Sequence, residues 1–499
     1  YHMGIYIPLY ERVCTKVEDT VTFHNEDKQG IEKINLFHTC PQDREDTRKK
    51  LQGLPIVMLN AEDTSLEISP LGVTKGYGLK KLCKHLNIEV EQSIVVGDAD
   101  NDLDVLKTAV IYGADAVYIG GEAFGLRAKA HNFSLEDMKE GIAFAHAHDV
   151  KVYVTANILA HNQDLPGVEA YFEELKEVGP DALIISDPGV FEIAKRVLPD
   201  TELHVSTQAN NTNYGTYLFW NRMGAKRVVS ARELSLAEIK EIRSHIPDDM
   251  EIESFIHGAM CISYSGRCLL SNFFTGRDAN QGACTHPCRW KYSIVEETRP
   301  GEYMPVYENE RGTYIFNSKD LCMIEHVPEL IDAGIDSFKI EGRMKTALYV
   351  ATVARTYRKA IDDYLKDPKL YEANMEWYKE EIGKCTYREF TTGFYFGKPG
   401  SDAQIYNSNT YVKNYTYLGT VEEADGKGRC RIEQKNKFSV GETIEIMKPD
   451  GRNLEVVVKS ICDEDGNEQE SAPHPKQILW VDLGADVDKY DILRKKEDN

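Results

Sequence analysis

The residues in this chain best suited to chemistry are thiols. Four of its eleven cysteines fall between Glu253 and Trp290, in ESFIHGAMCISYSGRCLLSNFFTGRDANQGACTHPCRW. Six residues separate Cys261 from Cys268, fifteen separate Cys268 from Cys284, and three separate Cys284 from Cys288. Cys322 follows in NSKDLC, a further thirty-three residues on. Gly258, Gly266, Gly276 and Gly282 punctuate the stretch, which reads as a loop able to fold back and aim several thiolates at one spot. Thiolates bind soft or borderline metals, with zinc and iron–sulfur clusters the usual occupants. Unrelated buried thiols are the bland alternative, but they would sit in an apolar periodic pattern, and glycine and polar residues lie between these. Zinc ribbons pair CxxC with CxxC; the irregular spacing here points to iron–sulfur.

Something must hold such a loop in place, and the surrounding pattern says what. Apolar β-rich runs occur at Ser93–Val96, Ala116–Ile119, Val152–Thr155, Ala182–Ile185, Leu203–Val205, Arg227–Val229, Glu251–Phe255 and Ser337–Ile340, with helical periodicity between them. Short continuous apolar strands separated by helices predict a parallel sheet covered by helices. Eight such units predict an α/β fold of the (β/α)8 TIM-barrel type, with an open doubly wound sheet as the rival. Only seven strands follow Ala116, so closure requires Ser93–Val96 as the first. The cysteine loop, 258–320, is then an insertion after strand seven.

Chemistry in such barrels sits at the C-terminal ends of the strands. The polar residues there are Asn157, Asp187, Ser206, Gln208, Asn210, Arg232, Glu233, His257, Lys339, Glu341 and Arg343. The cysteine loop leaves from a strand end too, and so belongs to the same face. Singly each residue suits a cap or a turn, as Asp187 before Pro188 does; together they suit one pocket.

The rest of the chain divides around this barrel, expected over 92–366. A linker follows at 367–411, and 412–499 alternates short strands with turns, predicting a small antiparallel β-barrel. Its turn region Lys427–Lys437 has five basic residues against Glu433, a net charge of +4. From Gly258 to Val295 the net charge is +3. Both contrast with −22 for the whole chain, an awkward total for a protein of nucleic acid. No run of eighteen apolar residues offers a membrane span, and the N-terminus lacks a signal-peptide pattern. The odd number of unevenly spaced cysteines does not suggest a secreted disulfide framework, so a cytoplasmic location is expected.

The wording of the cysteine stretch is informative in itself. ESFIHGAMCISYSGRCLLS resembles the signature of the peptidase U32 family, and NQGACTHPCRWKY extends the likeness. GADAVYIGG, SDPG, STQAN, SARELS, FKIEGRMK and the C-terminal NKFSVGETIEIM continue it over about four fifths of the chain. Within the family the likeness is to the branch that hydroxylates the wobble uridine of tRNA. That resemblance implies a 4Fe–4S cluster held by Cys261, Cys268, Cys284 and Cys288, with Cys322 as a competing fourth ligand. It also implies hydroxylation of uracil C5 in the anticodon region, with prephenate as co-substrate. Such a dicarboxylate needs basic partners, for which Arg232, Lys339, Arg343 and Arg127 are the candidates. His257 is the candidate proton donor or acceptor, Glu341 completes the catalytic set, and Asn157, Asp187, Gln208 and Asn210 are candidate substrate contacts. Two other functions stay in view: a peptidase or collagenase-like hydrolase, for which neither HExxH nor GxSxG is present, and a non-catalytic RNA-binding protein with a structural cluster.

Residues 1–91 are of another kind. LEISPLGVTKGYGLKKLCKHLNI and SIVVGDADNDLDVL resemble the closing part of haloacid-dehalogenase-like phosphatases of the Cof type. The nucleophilic Asp-x-Asp expected of that family would lie upstream of this segment, which therefore reads as a truncated remnant without phosphatase activity.

Overall fold

Apolar strands joined by helices can bury both faces only in a parallel sheet covered by helices, and that is how the larger part of this chain is built. In the computed structural model, the described residues are short segments between 34 and 70 and most of 102–497. Those outside it in the latter range are 122–123, 126–132, 262, 282–283, 288–292, 295–303, 306–317, 343–344, 400–402, 404, 406–410 and 475. The chain forms two units, Tyr1–Asp98 and Ala99–Asn499. In the first, strands Ile34–Phe37, Ile56–Glu62 and Ser65–Pro70 make an antiparallel sheet with Ser65–Pro70 at its centre.

In the second unit seven parallel strands run side by side in sequence order: Ala116–Gly120, Lys151–Ala156, Ala182–Ile185, Glu202–Val205, Arg227–Val229, Glu251–Gly258 and Ser337–Ile340. The sheet curls until its edge strands face each other. The Tyr118 hydroxyl donates to the Ile340 carbonyl at 3.3 Å, and the Lys339 ammonium lies 4.1 Å from the Tyr118 ring centre. A cavity of about 710 Å³, lined by Leu106, Val117, Ile119, Phe338 and Val350 among others, follows the seam between those strands. The expected first strand, Ser93–Val96, lies outside the described residues, as do residues 71–92 and most of the acidic loop before Asp102.

Helices start where polar caps precede apolar periodicity. Ser134 and Ser235 form reciprocal capping boxes with Asp137 and Glu238. Thr346 caps the long helix Ala347–Lys366. Before the last parallel strand, a 3₁₀ turn, Ile324–His326, is followed by helix Val327–Asp332, where Pro328 sits in the first turn. The linker begins with two short helices, Pro368–Ala373 and Met375–Ile382, separated at Asn374. The C-terminal strands form an eight-stranded antiparallel sheet around Leu418, Val421, Ile432, Phe438, Ile446, Val481 and Leu493. No helix among the described residues is long and apolar enough to cross a membrane.

A buried ionic cluster ties the C-terminal sheet to the helices. Glu381 receives Arg494 at 2.7 Å and also pairs with Arg355. The three side chains are 1%, 0% and 2% exposed, so no water compensates a missing partner. Arg355 further donates to the Lys448 carbonyl at 2.7 Å. Burial alone would raise the Glu381 pKa, but Arg494 and Arg355 outweigh it and hold the carboxyl at about 2, against an ordinary 4.5. A carboxyl lowered in the folded state stabilises fully above its unfolded pKa, and that contribution fades as pH falls through the folded value. Glu381→Ala, which leaves the buried Arg355 without a carboxylate and Arg494 with Glu445 alone, is expected to cost about 3–5 kcal/mol in urea unfolding at neutral pH. Between pH 4.5 and 2 the parent should lose stability that this variant lacks from the outset.

Candidate active site

Strand Glu251–Gly258 carries most of the site. Glu253 points into the curled sheet, 3% exposed, where its carboxylate accepts from Lys339 at 2.5 Å and from Arg227 at 3.0 Å. Burial would raise its pKa, but Lys339 and Arg227 hold it at about 2, so it is an anion at any ordinary pH. Two residues on, Phe255 also faces inward, with the Arg232 guanidinium 3.9 Å from its ring centre. Strict alternation would turn His257 inward as well. Instead the register against Ser337–Ile340 slips, Lys339 opposing Phe255 and Ile340 opposing His257, and this bulge reverses the facing of the residues after it.

His257 therefore packs outward, 1% exposed, among the rings of Tyr349, Tyr357 and Phe390. Burial, aided by Lys345, lowers its pKa to about 3 and keeps the imidazole neutral. It is not among the residues lining the cavity under the cysteine loop. Gly258 then turns the chain out of the sheet at φ +113°, where a Cβ would lie 2.7 Å from the Glu341 carbonyl oxygen, so only glycine fits.

Beyond that turn the cysteine loop covers the C-terminal ends of the strands and encloses a cavity of about 190 Å³. Cys261, Cys268 and Cys284 all line it, the first and third exposed and the second half-buried, and none is in a disulfide. Asn157, Gln208, Arg232, Lys339 and Glu341 line it too. The Arg232 guanidinium approaches Cys261 Sγ at 3.7 Å, while its Nε is buried without a hydrogen-bond partner. Glu341 accepts from the Tyr118 hydroxyl at 3.3 Å. Ser206 receives the Asn157 amide at 3.2 Å and donates to Gln208 Oε1 at 2.9 Å, which fixes the orientation of both amides. Lys339 is present but committed: its charge is met by Glu253, so Arg232 is the better placed cation for an incoming anion.

Other expected residues serve elsewhere. Asp187 caps helix Pro188–Val197, accepting from the Gly189 and Val190 amides, and does not line the cavity. Asn210, in the left-handed region at φ +55°, donates to the Ser265 carbonyl at 3.2 Å and so anchors the cysteine loop to the sheet. Cys322 lies on strand Asp320–Cys322, paired antiparallel to His257 and Gly258; its sulfur is 3.9 Å from the Tyr357 hydroxyl, apart from the cavity. Cys288, Arg127 and Arg343 lie outside the described residues. In the basic turn region Lys427–Lys437, two of the five basic residues are in ion pairs, Arg431 with Glu422, Glu423 and Glu464 and Lys435 with Glu433. Glu253 and Tyr118 escaped the reading of strand ends because they sit inside the strands. The signal was there: a carboxylate in the buried run EIESFI, and a tyrosine at an inward position of AVYIG.

The donor set tests what group the loop suits. Three soft thiols open on one cavity beside a guanidinium, which fits a thiolate-held cluster. Among the described residues no three His, Cys, Asp or Glu groups stand close enough to share one metal ion.

With the fold and site in hand, comparison with known proteins places the chain. It belongs to peptidase family U32, whose model matches residues 101–405, with the family's C-terminal domain at 413–494. A haloacid dehalogenase-like hydrolase model matches residues 5–145, overlapping the start of the U32 match. The chain is 42% identical to tRNA hydroxylation protein P1 of Bacillus subtilis over 79% of this chain and 93% of that one. It is 38% identical to tRNA hydroxylation protein P of Escherichia coli over 78% and 94%. It is also 39% identical to the Escherichia coli 23S rRNA 5-hydroxycytidine C2501 synthase, over 62% of this chain and 46% of the relative.

Exposure and burial separate the thiols. Burial pushes the pKa of Cys322 up to about 11 and those of Cys385 and Cys430 to about 12, which suppresses the reactive thiolate. In metal-free protein, timed iodoacetamide labelling read by peptide mass spectrometry should modify Cys261 and Cys284 first. Half-buried Cys322, with its raised pKa, should react after them, and the buried Cys385 and Cys430 only on unfolding. Early labelling of Cys385 or Cys430 would contradict their burial.

Proposed function

We propose that this protein is an RNA hydroxylase, and more narrowly that it hydroxylates C5 of the wobble uridine in the anticodon region of tRNA. The supporting observation is that three of the four motif cysteines open onto one cavity with Asn157, Gln208, Arg232 and Glu341 at the C-terminal ends of the strands. The two tRNA hydroxylation proteins share over a third of their residues with this chain across nearly their whole length.

In this reading Cys261, Cys268, Cys284 and Cys288 hold a 4Fe–4S cluster, which would supply one-electron chemistry when bound. Cys288 completes the set rather than Cys322, whose raised pKa and separate position disfavour ligation. The remaining steps belong to the protein's own groups. Arg232, stacked on Phe255 with an unpaired buried Nε, receives the carboxylate of a small acid such as prephenate. Asn157 and Gln208, oriented through Ser206, present amide groups suited to the edge of an unstacked pyrimidine. Glu341, held by Tyr118, is the carboxylate placed to take a proton. The cavity is smaller than the ~300 Å³ at the lower end of small-molecule sites, which suits a group the size of one base or one small acid. A closed eight-stranded barrel and a cytoplasmic setting accompany this reading.

Anaerobically purified protein should absorb near 400 nm and contain iron and sulfide. Cys268→Ser and Cys284→Ser should lose both the absorbance and 5-hydroxyuridine formation, while Cys322→Ser keeps them. Nucleoside mass spectrometry of tRNA from cells lacking the protein should show 5-hydroxyuridine derivatives reduced. Unchanged levels, in the absence of a second such protein, would reject the hydroxylase.

A further inference from the structure

The cysteine loop also presents an unusual outer surface. Phe273 is 81% exposed and Leu269 66%, and Tyr264 (46%) reaches from that surface to the rim of the cavity. Phe273 and Phe274 meet edge to face at 5.2 Å, which props the Phe273 ring outward. Large aromatic side chains this exposed and this close together mark an interaction surface. Arg267 and Arg277 flank them, both exposed and neither in an ion pair among the described residues. The stretch from Gly258 to Val295 has a single acid, Asp278, whose carboxylate accepts the Asn280 amide. A positively charged aromatic surface on a chain of net charge −22 has a polyanion as its natural complement.

We propose that Tyr264, Leu269 and Phe273, with Arg267 and Arg277, form the landing surface for the unpaired loop of an RNA hairpin. This rests on the RNA-hydroxylase reading and adds where and how that RNA is held. Unstacked bases lie on the Phe273 and Tyr264 rings, and the two arginines take phosphates along the loop. A fully paired duplex hides its base faces and leaves Phe273 without a partner, so the surface selects loops over stems. Tyr264 borders both the surface and the cavity, and thereby hands one base of the bound loop towards Arg232 and Glu341. Cys268, directly before Leu269 in the chain, lines the same cavity, so binding and chemistry share one short segment.

The test uses the full-length protein, a fluorescent RNA hairpin with a uridine-containing loop, and a paired duplex of equal length. Phe273→Ala should weaken hairpin binding by about five- to a hundredfold and leave duplex binding within about twofold of the parent by the same stacking argument. Phe273→Trp should restore it, which a merely structural role would not predict. Replacing Arg267 and Arg277 together by alanine should flatten the salt dependence of log affinity by about 1.4, at about 0.7 per phosphate on a single strand. Parent-like hairpin binding by Phe273→Ala and by the double arginine variant would overturn the proposal while leaving the hydroxylase reading intact. Loss of self-association in sedimentation, with RNA affinity unchanged, would assign the surface to a second copy of the chain instead. A parent that neither binds the hairpin nor modifies tRNA would remove the hydroxylase reading and this proposal with it.

Discussion

A carboxylate shut away from water governs the interior of this molecule. Glu253 can remain charged inside the sheet only because Lys339 and Arg227 meet it at 2.5 and 3.0 Å, from strands on either side of its own. Removing charges from water is costly unless partners repay the loss, so the three side chains fix one another. Their arrangement commits Lys339 at the floor of the cavity and leaves Arg232, resting on Phe255, as the cation with spare capacity. The same strand then bulges, hides His257, and exits through Gly258 to form the cysteine loop.

That sequence of events along one strand divides the work between two layers. Below, the ionic cluster and the apolar packing of the βα units give a rigid base. Above, a loop rich in polar and glycine residues is anchored by contacts that include Asn210 to the Ser265 carbonyl and Gly266 against Gln208. The loop presents Cys261, Cys268 and Cys284 to the cavity with Asn157, Gln208 and Glu341, and Phe273 to the outside. Sites built on strand ends and covered by a loop are a recurring solution to combining precise geometry with access for a large substrate. The membership of peptidase family U32 and the kinship with tRNA hydroxylation proteins give that arrangement a chemical context.

Much of this was legible in advance. The alternation of short Val- and Ile-rich runs with capped helices places the strands to within a residue or three, because burial on both faces leaves a continuous apolar run that few other structures produce. The crowded cysteines mark a loop outside the core, because thiols, glycines and polar residues together have little use there, and three of them line one cavity. Asp187 and His257 were harder. Asp187 stands at a strand end like its neighbours, but its carboxylate is used by two helix amides. His257 stands two residues from an inward Phe255, and only the bulge reverses it.

The sequence by itself thus determined the element order, the segment in which the thiols crowd and the residue types at the strand ends, since local propensity and hydrophobic period act over neighbouring residues. Which side chains meet was decided by the tertiary structure alone. The pairing of Glu253 with Lys339 spans 86 residues, and Arg232 meets Cys261 across 29. Such contacts depend on how the sheet curls and where its register slips, and neither leaves a mark in the spacing of residues along the chain.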